Sequence, residues 1–122
     1  MTAESLRLIA IVLKMFVKKN KKPKRPRKMV NEKIKASLLA KKSGNYETAL
    51  SLLEEAHLLA QPHSWPHFYV HWKMLCLAFA FRNWNEFLGQ LPRLALAIPG
   101  SLTGKAPRGN VGSTKMGIFE ER

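Results

Sequence analysis

Aspartate is missing from this chain, cysteine occurs once, and all eight acidic side chains are glutamates. Without Asp there is no Ser–His–Asp set, and the serines show no other arrangement for nucleophilic attack. The single Cys76 excludes an internal disulfide and fits a reducing compartment. In the interior of a predicted helix its thiol should be inert. Long apolar runs are also missing. Leu6 to Val17 is interrupted by Arg7 and Lys14, well short of the roughly 18–20 residues of a spanning helix. A secretory signal carries its positive charge first and a small-residue cleavage site after. Here the charge follows, and no such site appears. β signals are weak throughout. These absences exclude a disulfide scaffold, a transmembrane helix and the common catalytic sets, and leave the expectation of a non-enzymatic, cytoplasmic protein.

What is abundant is positive charge. The 122 residues carry a net charge of +13, and its placement is uneven. Lys14 to Lys42 holds thirteen Lys/Arg against Glu32 alone, whereas residues 43–97 sum to −1. Only that segment argues for an anionic partner, either a membrane surface or nucleic acid. Its densest part, "KKNKKPKRPRK" from Lys18 to Lys28, places eight cations in eleven positions and is interrupted by two prolines. It reads either as a solvated linker or as an anion-binding arm using Lys21, Lys22, Lys24, Arg25, Arg27 and Lys28. Just before it, Arg7, Lys14 and Lys18 fall on one narrow helical stripe with apolar residues around the rest. That pattern suits a helix in a membrane interface, peripheral at the inner face, or one docked on a protein.

With 46% apolar residues the chain can build one domain with a small core. Helical periodicity predicts helices over Met29–Ser43 (with Ile34, Leu38 and Leu39 inward), Tyr46–Ala60, Ser64 to about Arg82, and Trp84–Ala97. Ser64 is the expected N-cap of the third, and Pro92 should kink or break the fourth. The pattern repeats: "GNYETAL" at Gly44 aligns with "RNWNEFL" at Arg82, and "LLAQP" at Leu58 with "LAIPG" at Leu96. Each unit is a helix, a tight turn holding Asn and an aromatic, a second helix and a proline stop, similar to the tetratricopeptide hairpin with its period of about 34 residues. The expected fold is all-α. It comprises two stacked antiparallel helical hairpins over 29–98, a Gly/Pro-rich extended strap over 99–122, and a basic extension over 1–28. Two hairpins are fewer than such stacks usually need, so support from a protein partner, a second copy, a metal or the tails is expected.

The order "LLEEAHLLAQPHSWPHFYVHWKML", "NWNEFLGQLPRL" and "PRGNVG" resembles a small bacterial family known as domain of unknown function 3703, over roughly Met29 to Gly117. Two departures, Ala60 within Leu59-Ala60-Gln61 and Val111, remove no candidate ligand. The resemblance implies a small helical bacterial protein and brings no activity with it.

All four histidines lie between His57 and His71. His67 and His71 are i, i+4 on one helix, and Glu54 and His57 form Glu-x-x-His on its antiparallel neighbour. Glu54, His57, His67 and His71 are therefore the candidate ligands for zinc, iron or another divalent transition metal. The alternative is a structural hydrogen-bond cluster without a metal. Cys76 points away around the helix, and His63 sits in the preceding turn. The segment "PGSLTGKAPRGNVGSTK" is not a phosphate loop. Gly100 and Gly104 have three residues between them where four are needed, and Ala106 follows Lys105. Within it Arg108 is expected to anchor to a carboxylate of the body or an anionic ligand, and Asn110 to make a partner contact. No small-molecule substrate is indicated. The aromatics from Trp65 to Phe87 are expected to be mostly core.

Overall fold

The computed structural model describes residues 2–19 and 26–122. Among these the protein is all-α, with five helices and no strand: α1 (Ala3–Lys19), α2 (Pro26–Lys42), α3 (Tyr46–Ala60), α4 (Ser64–Ala80) and α5 (Trp84–Thr103). α2 packs on α3 and α4, α3 on α4, and α4 on α5. Among the described residues, α1 makes no contact with the other helices.

The two turns suggested by the repeat are built alike. Gly44 (φ +75°) and Arg82 (φ +55°) take the left-handed conformation that ends a helix. Asn45 and Asn83 follow, and their side chains accept from the backbone N–H of Thr48 and Glu86, both at 3.2 Å. This satisfies one of the unpaired donors that open α3 and α5. The turns are joined, since Asn83 Nδ2 donates to the Tyr46 hydroxyl at 2.8 Å. α4 opens differently: His63, not Ser64, is its N-cap and makes no side-chain cap bond.

The apolar core lies among α2, α3 and α4, around Val30, Ile34, Leu50, Leu53, Val70, Met74 and Leu77. Ala49, Ala56, Ala60 and Ala78 are fully buried and let the helix backbones approach closely. The inward stripe of α2 is Val30, Ile34 and Ser37, with the Ser37 hydroxyl donating to the Ala49 carbonyl at 2.9 Å. Leu38 and Leu39, expected inside, are exposed. The aromatics correct another expectation: Trp65, Trp72, Phe79 and Trp84 lie largely on the surface.

Pro92 does not end α5. The helix runs through both Pro92 and Pro99 to Gly104, whose left-handed φ of +69° caps it. The carbonyls four residues before each proline belong to exposed Leu88 and Ala95, so water can take the place of the missing N–H donor. The non-helical tail therefore begins at residue 104, not 99. α2 likewise starts at Pro26, three residues before Met29. No helix of the described residues is long and apolar enough to cross a membrane.

The register of α2 can be tested by truncation. Ile34→Ala should destabilise by roughly 2–4 kcal/mol, and Leu39→Ala by less than about 1 kcal/mol, in urea unfolding. The reverse order would place the wrong face of α2 inward.

Candidate metal centre

Two helices bring three imidazoles together. α3 supplies His57, and α4, returning antiparallel through a three-residue turn, supplies His67 and His71 one turn apart. Their Nε2 atoms form a near-equilateral triangle: 2.9 Å from His57 to His67, 3.1 Å from His57 to His71, and 3.1 Å from His67 to His71. All three rings are at least nine-tenths buried.

The opposite edges of the rings decide where the protons sit. His67 Nδ1 lies 3.1 Å from the Ala97 carbonyl and 2.8 Å from Ser101 Oγ. The Ser101 hydroxyl donates to the Gln61 carbonyl at 2.6 Å, so both neighbours of Nδ1 are acceptors and Nδ1 carries the proton. His71 Nδ1 lies 2.7 Å from Gln90 Oε1. The orientation of that amide is fixed because Gln90 Nε2 donates to Glu86 Oε1 at 2.7 Å and to the Gly112 carbonyl at 2.8 Å. His71 is therefore also protonated on Nδ1. Both rings then present bare Nε2 lone pairs, 3.1 Å apart with no proton between them. Only His57 has a proton that its Nε2 could share. Its Nδ1 is buried and closes no hydrogen bond, although the nearby Asn110 backbone favours protonation of the ring.

Protonating the rings would not relieve the crowding. Burial is the leading cause that holds each imidazole below the ordinary histidine range. For His57 the charged forms of His71 and His67 add to it. His71 is pushed down to about 4, with Gln90 opposing the shift and His67 and Arg93 reinforcing it. A cation is the partner that three converging lone pairs suit. Nitrogens bound to one ion at about 2.0–2.1 Å lie roughly 3.3–3.4 Å apart in a tetrahedron and about 2.9 Å apart on an octahedral face. The observed 2.9–3.1 Å is closer to the face of an octahedron.

Glu54 is not part of this cluster. Among the described residues, those whose donor atoms converge are His57, His67 and His71, and the Glu54 carboxylate is held by Lys115 Nζ at 3.0 Å and Ser113 Oγ at 3.3 Å. The carboxylate that serves the site is Glu86, one step behind His71 through Gln90. It also accepts from Thr114 N at 3.0 Å and Thr114 Oγ1 at 2.5 Å. His63 is exposed. Cys76 faces the α2 side of α4, among Ile34, Leu38 and Lys73.

The tail closes over the cluster. Gly112 sits against the His57 ring: a Cβ there would stand 2.5 Å from Cδ2 and 2.8 Å from Nε2, and its φ of +85° independently favours glycine. Asn110 was expected to meet a partner. Instead it is buried and organises the tail, donating to the Gly117 and Glu120 carbonyls at 2.8 Å each and accepting from Gly112 N at 2.9 Å. Arg108 is exposed, and its backbone carbonyl, not its guanidinium, is engaged, accepting from Arg122 N at 3.0 Å. The arginine that anchors the tail is Arg93, whose guanidinium donates to the Met116 carbonyl at 2.7 Å. Arg27 and Lys28 are exposed on the first turn of α2. Lys21, Lys22, Lys24 and Arg25 lie outside the described residues.

Glu86, Gln90 and Arg93 escaped sequence reasoning, although a signal exists. With Ala97 they follow i, i+4, i+7, i+11 and form the buried face of α5, while Leu88 and Leu91 face out. A polar stripe at strict helical spacing on an otherwise apolar helix marks an interior polar site.

Among comparisons with known proteins, the model of one family, a protein family of unknown function (DUF3703), matches residues 24–122. The chain belongs to that family, with α1 outside the matched region. No curated protein and no solved structure matches it.

Two outcomes follow for the metal-free protein. Unfolded histidine takes up a proton near pH 6.5 but folded His71 only near 4, so the unfolded state gains protons first as pH falls. Stability should therefore drop across pH 6.5 to 4, by roughly 3 kcal/mol from His71 alone. Urea midpoints that stay flat over that window would contradict it. Gly112→Ala should cost roughly 2 kcal/mol through its positive φ and its collision with His57, measured by thermal melting.

Proposed function

We propose that the protein binds one divalent transition-metal ion through the Nε2 atoms of His57, His67 and His71. The observation that carries this reading is the His67–His71 contact, where two buried Nε2 atoms meet at 3.1 Å with both ring protons committed elsewhere. His67 and His71 cannot hydrogen-bond to each other, and His57 has one Nε2 proton for two acceptors at 2.9 and 3.1 Å, which argues against a purely structural role. The surroundings match what metal-ligating histidines require: a carbonyl and a hydroxyl behind His67, and a Gln–Glu pair behind His71. Three neutral imidazoles without a thiolate suit borderline ions such as Zn²⁺, Fe²⁺, Co²⁺ or Ni²⁺. The scaffold reads as two tetratricopeptide-like hairpins, α2–α3 and α4–α5, with the tail from Gly104 as a strap that seals the ion.

A second reading concerns the N-terminus, that it places the protein at an anionic membrane surface. Leu6, Leu8, Ile9, Ile11, Val12 and Leu13 are all exposed on a helix that touches no other. The basic segment follows directly, and apolar burial combined with lysine–headgroup attraction is how interfacial helices bind.

Protein purified without a histidine tag should take up one Zn²⁺ or Co²⁺ per chain by elemental analysis and melt at higher temperature. His67→Ala and His71→Ala should abolish uptake. Gln90→Leu should weaken it about 10- to 100-fold, and Glu54→Gln should leave it unchanged. An unaltered wild-type protein that binds none of these ions would refute the site. For the second reading, removal of residues 1–28 should eliminate salt-sensitive co-flotation with phosphatidylserine vesicles; undiminished flotation would count against it.

A further inference from the structure

Beside the three histidines lies a cavity of about 260 Å³. His57, His67 and His71 contribute to its lining, and Leu96, Pro99, Ala106, Pro107, Ile118 and Phe119 make much of the remainder apolar. Three protein nitrogens leave a transition-metal ion with open positions, and the cavity is where a further ligand would reach them.

The charges nearby select that ligand. Arg93 also lines the cavity. It is more than nine-tenths buried and belongs to no ion pair among the described residues. Two of its nitrogens hold the Gly89 and Met116 carbonyls, at 2.6 and 2.7 Å, while Nε is buried without a partner. Glu86 is the buried carboxylate whose charge acts on it, and that carboxylate is already engaged by Gln90 and Thr114. With a divalent ion held by neutral imidazoles, the region keeps two positive charges beyond what Glu86 offsets. In a largely apolar cavity partly open to solvent, that imbalance favours an anion. Lys105, exposed among the lining residues, adds attraction. Size sets the rest of the ligand. A dry cavity of about 150 Å³ accepts benzene, so this one fits roughly ten non-hydrogen atoms.

We infer that the cavity binds a small monocarboxylate with an apolar body, its carboxylate on the histidine-held ion near Arg93 and its hydrocarbon part against Leu96, Pro99 and Phe119. The inference rests on the metal reading above. It adds that the bound ion serves as a receptor for an organic acid, where a purely structural ion would have no such ligand.

The experiment uses the full chain loaded with Co²⁺, whose visible absorption reports changes in coordination, together with calorimetric titration. Hexanoate and benzoate are the probes, hexanamide, benzamide and acetate the controls. Both carboxylates should alter the Co²⁺ spectrum and bind at least tenfold more tightly than the amides or acetate. The metal-free chain should bind them at least tenfold more weakly. Arg93→Gln should weaken carboxylate binding by a similar factor. Because Arg93 also holds the tail, Ala106→Phe is the second variant: it should fill the cavity and abolish hexanoate binding while one Co²⁺ per chain is retained. Co²⁺ uptake with amides bound as well as acids, or with no carboxylate response, overturns the inference and leaves the metal site standing. Failure to take up Co²⁺ and equally Zn²⁺, Fe²⁺ and Ni²⁺ overturns both. Equal hexanoate binding with and without Co²⁺ overturns the inference as stated.

Discussion

Three imidazole nitrogens are held within about van der Waals contact of one another while two of the rings, His67 and His71, use on their far sides the protons that would let them hydrogen-bond. Acceptors behind His67 and His71 fix this: the Ala97 carbonyl and Ser101 for one, Gln90 for the other. Much of the remaining architecture serves that constraint. α5 turns a polar face inward at Glu86, Gln90 and Arg93, and the tail crosses the site so that Gly112 rests on His57 and gives its carbonyl to Gln90. A buried polar face of this kind is stable only when nearly every member has a partner. The atoms left over, His57 Nδ1 and Arg93 Nε, belong to residues that line the cavity.

The molecule thus has two interiors with different physics. Between α2, α3 and α4, aliphatic side chains and buried alanines pack by area and shape. Between α3, α4, α5 and the tail, hydrogen bonds and charge set the geometry. The second interior orients the imidazoles, and the first holds the backbones of α3 and α4 at the separation that lets His57 reach His67 and His71. Pro92 fits this division, since it lies on the outer side of α5.

Much of this was legible in the sequence. The Asn-aromatic repeat marked both turns, helical periodicity located four helices, and the i, i+4 spacing of His67 and His71 with His57 on the adjoining helix named the three converging rings. Glu54 was misplaced because Glu-x-x-His fixes a shared helix face only to within tens of degrees. Lys115 and Ser113, sixty residues away, decided which side of that face the carboxylate took. Gln90 and Glu86 were missed for a related reason: a polar residue on a helix reads as solvated unless its tertiary partners are known, and theirs are His71, Gly112 and Thr114. The same ambiguity put Leu39 inside, where Ser37 in fact bonds Ala49, and counted surface aromatics such as Trp65 and Phe79 as core. Pro92 was expected to kink α5 or break its hydrogen-bond ladder, and propensity alone does not show that the interrupted turn faces water.

The most direct measurement is the tautomeric state of the histidines, from long-range ¹H–¹⁵N correlation spectra of the metal-free chain at pH 7 followed by addition of Zn²⁺. The account requires His67 and His71 to be neutral with the proton on Nδ1, and requires the Nε2 resonances of His57, His67 and His71 to shift together as zinc is added. Protons found on Nε2 of His67 and His71, or three rings that ignore the ion, would contradict it.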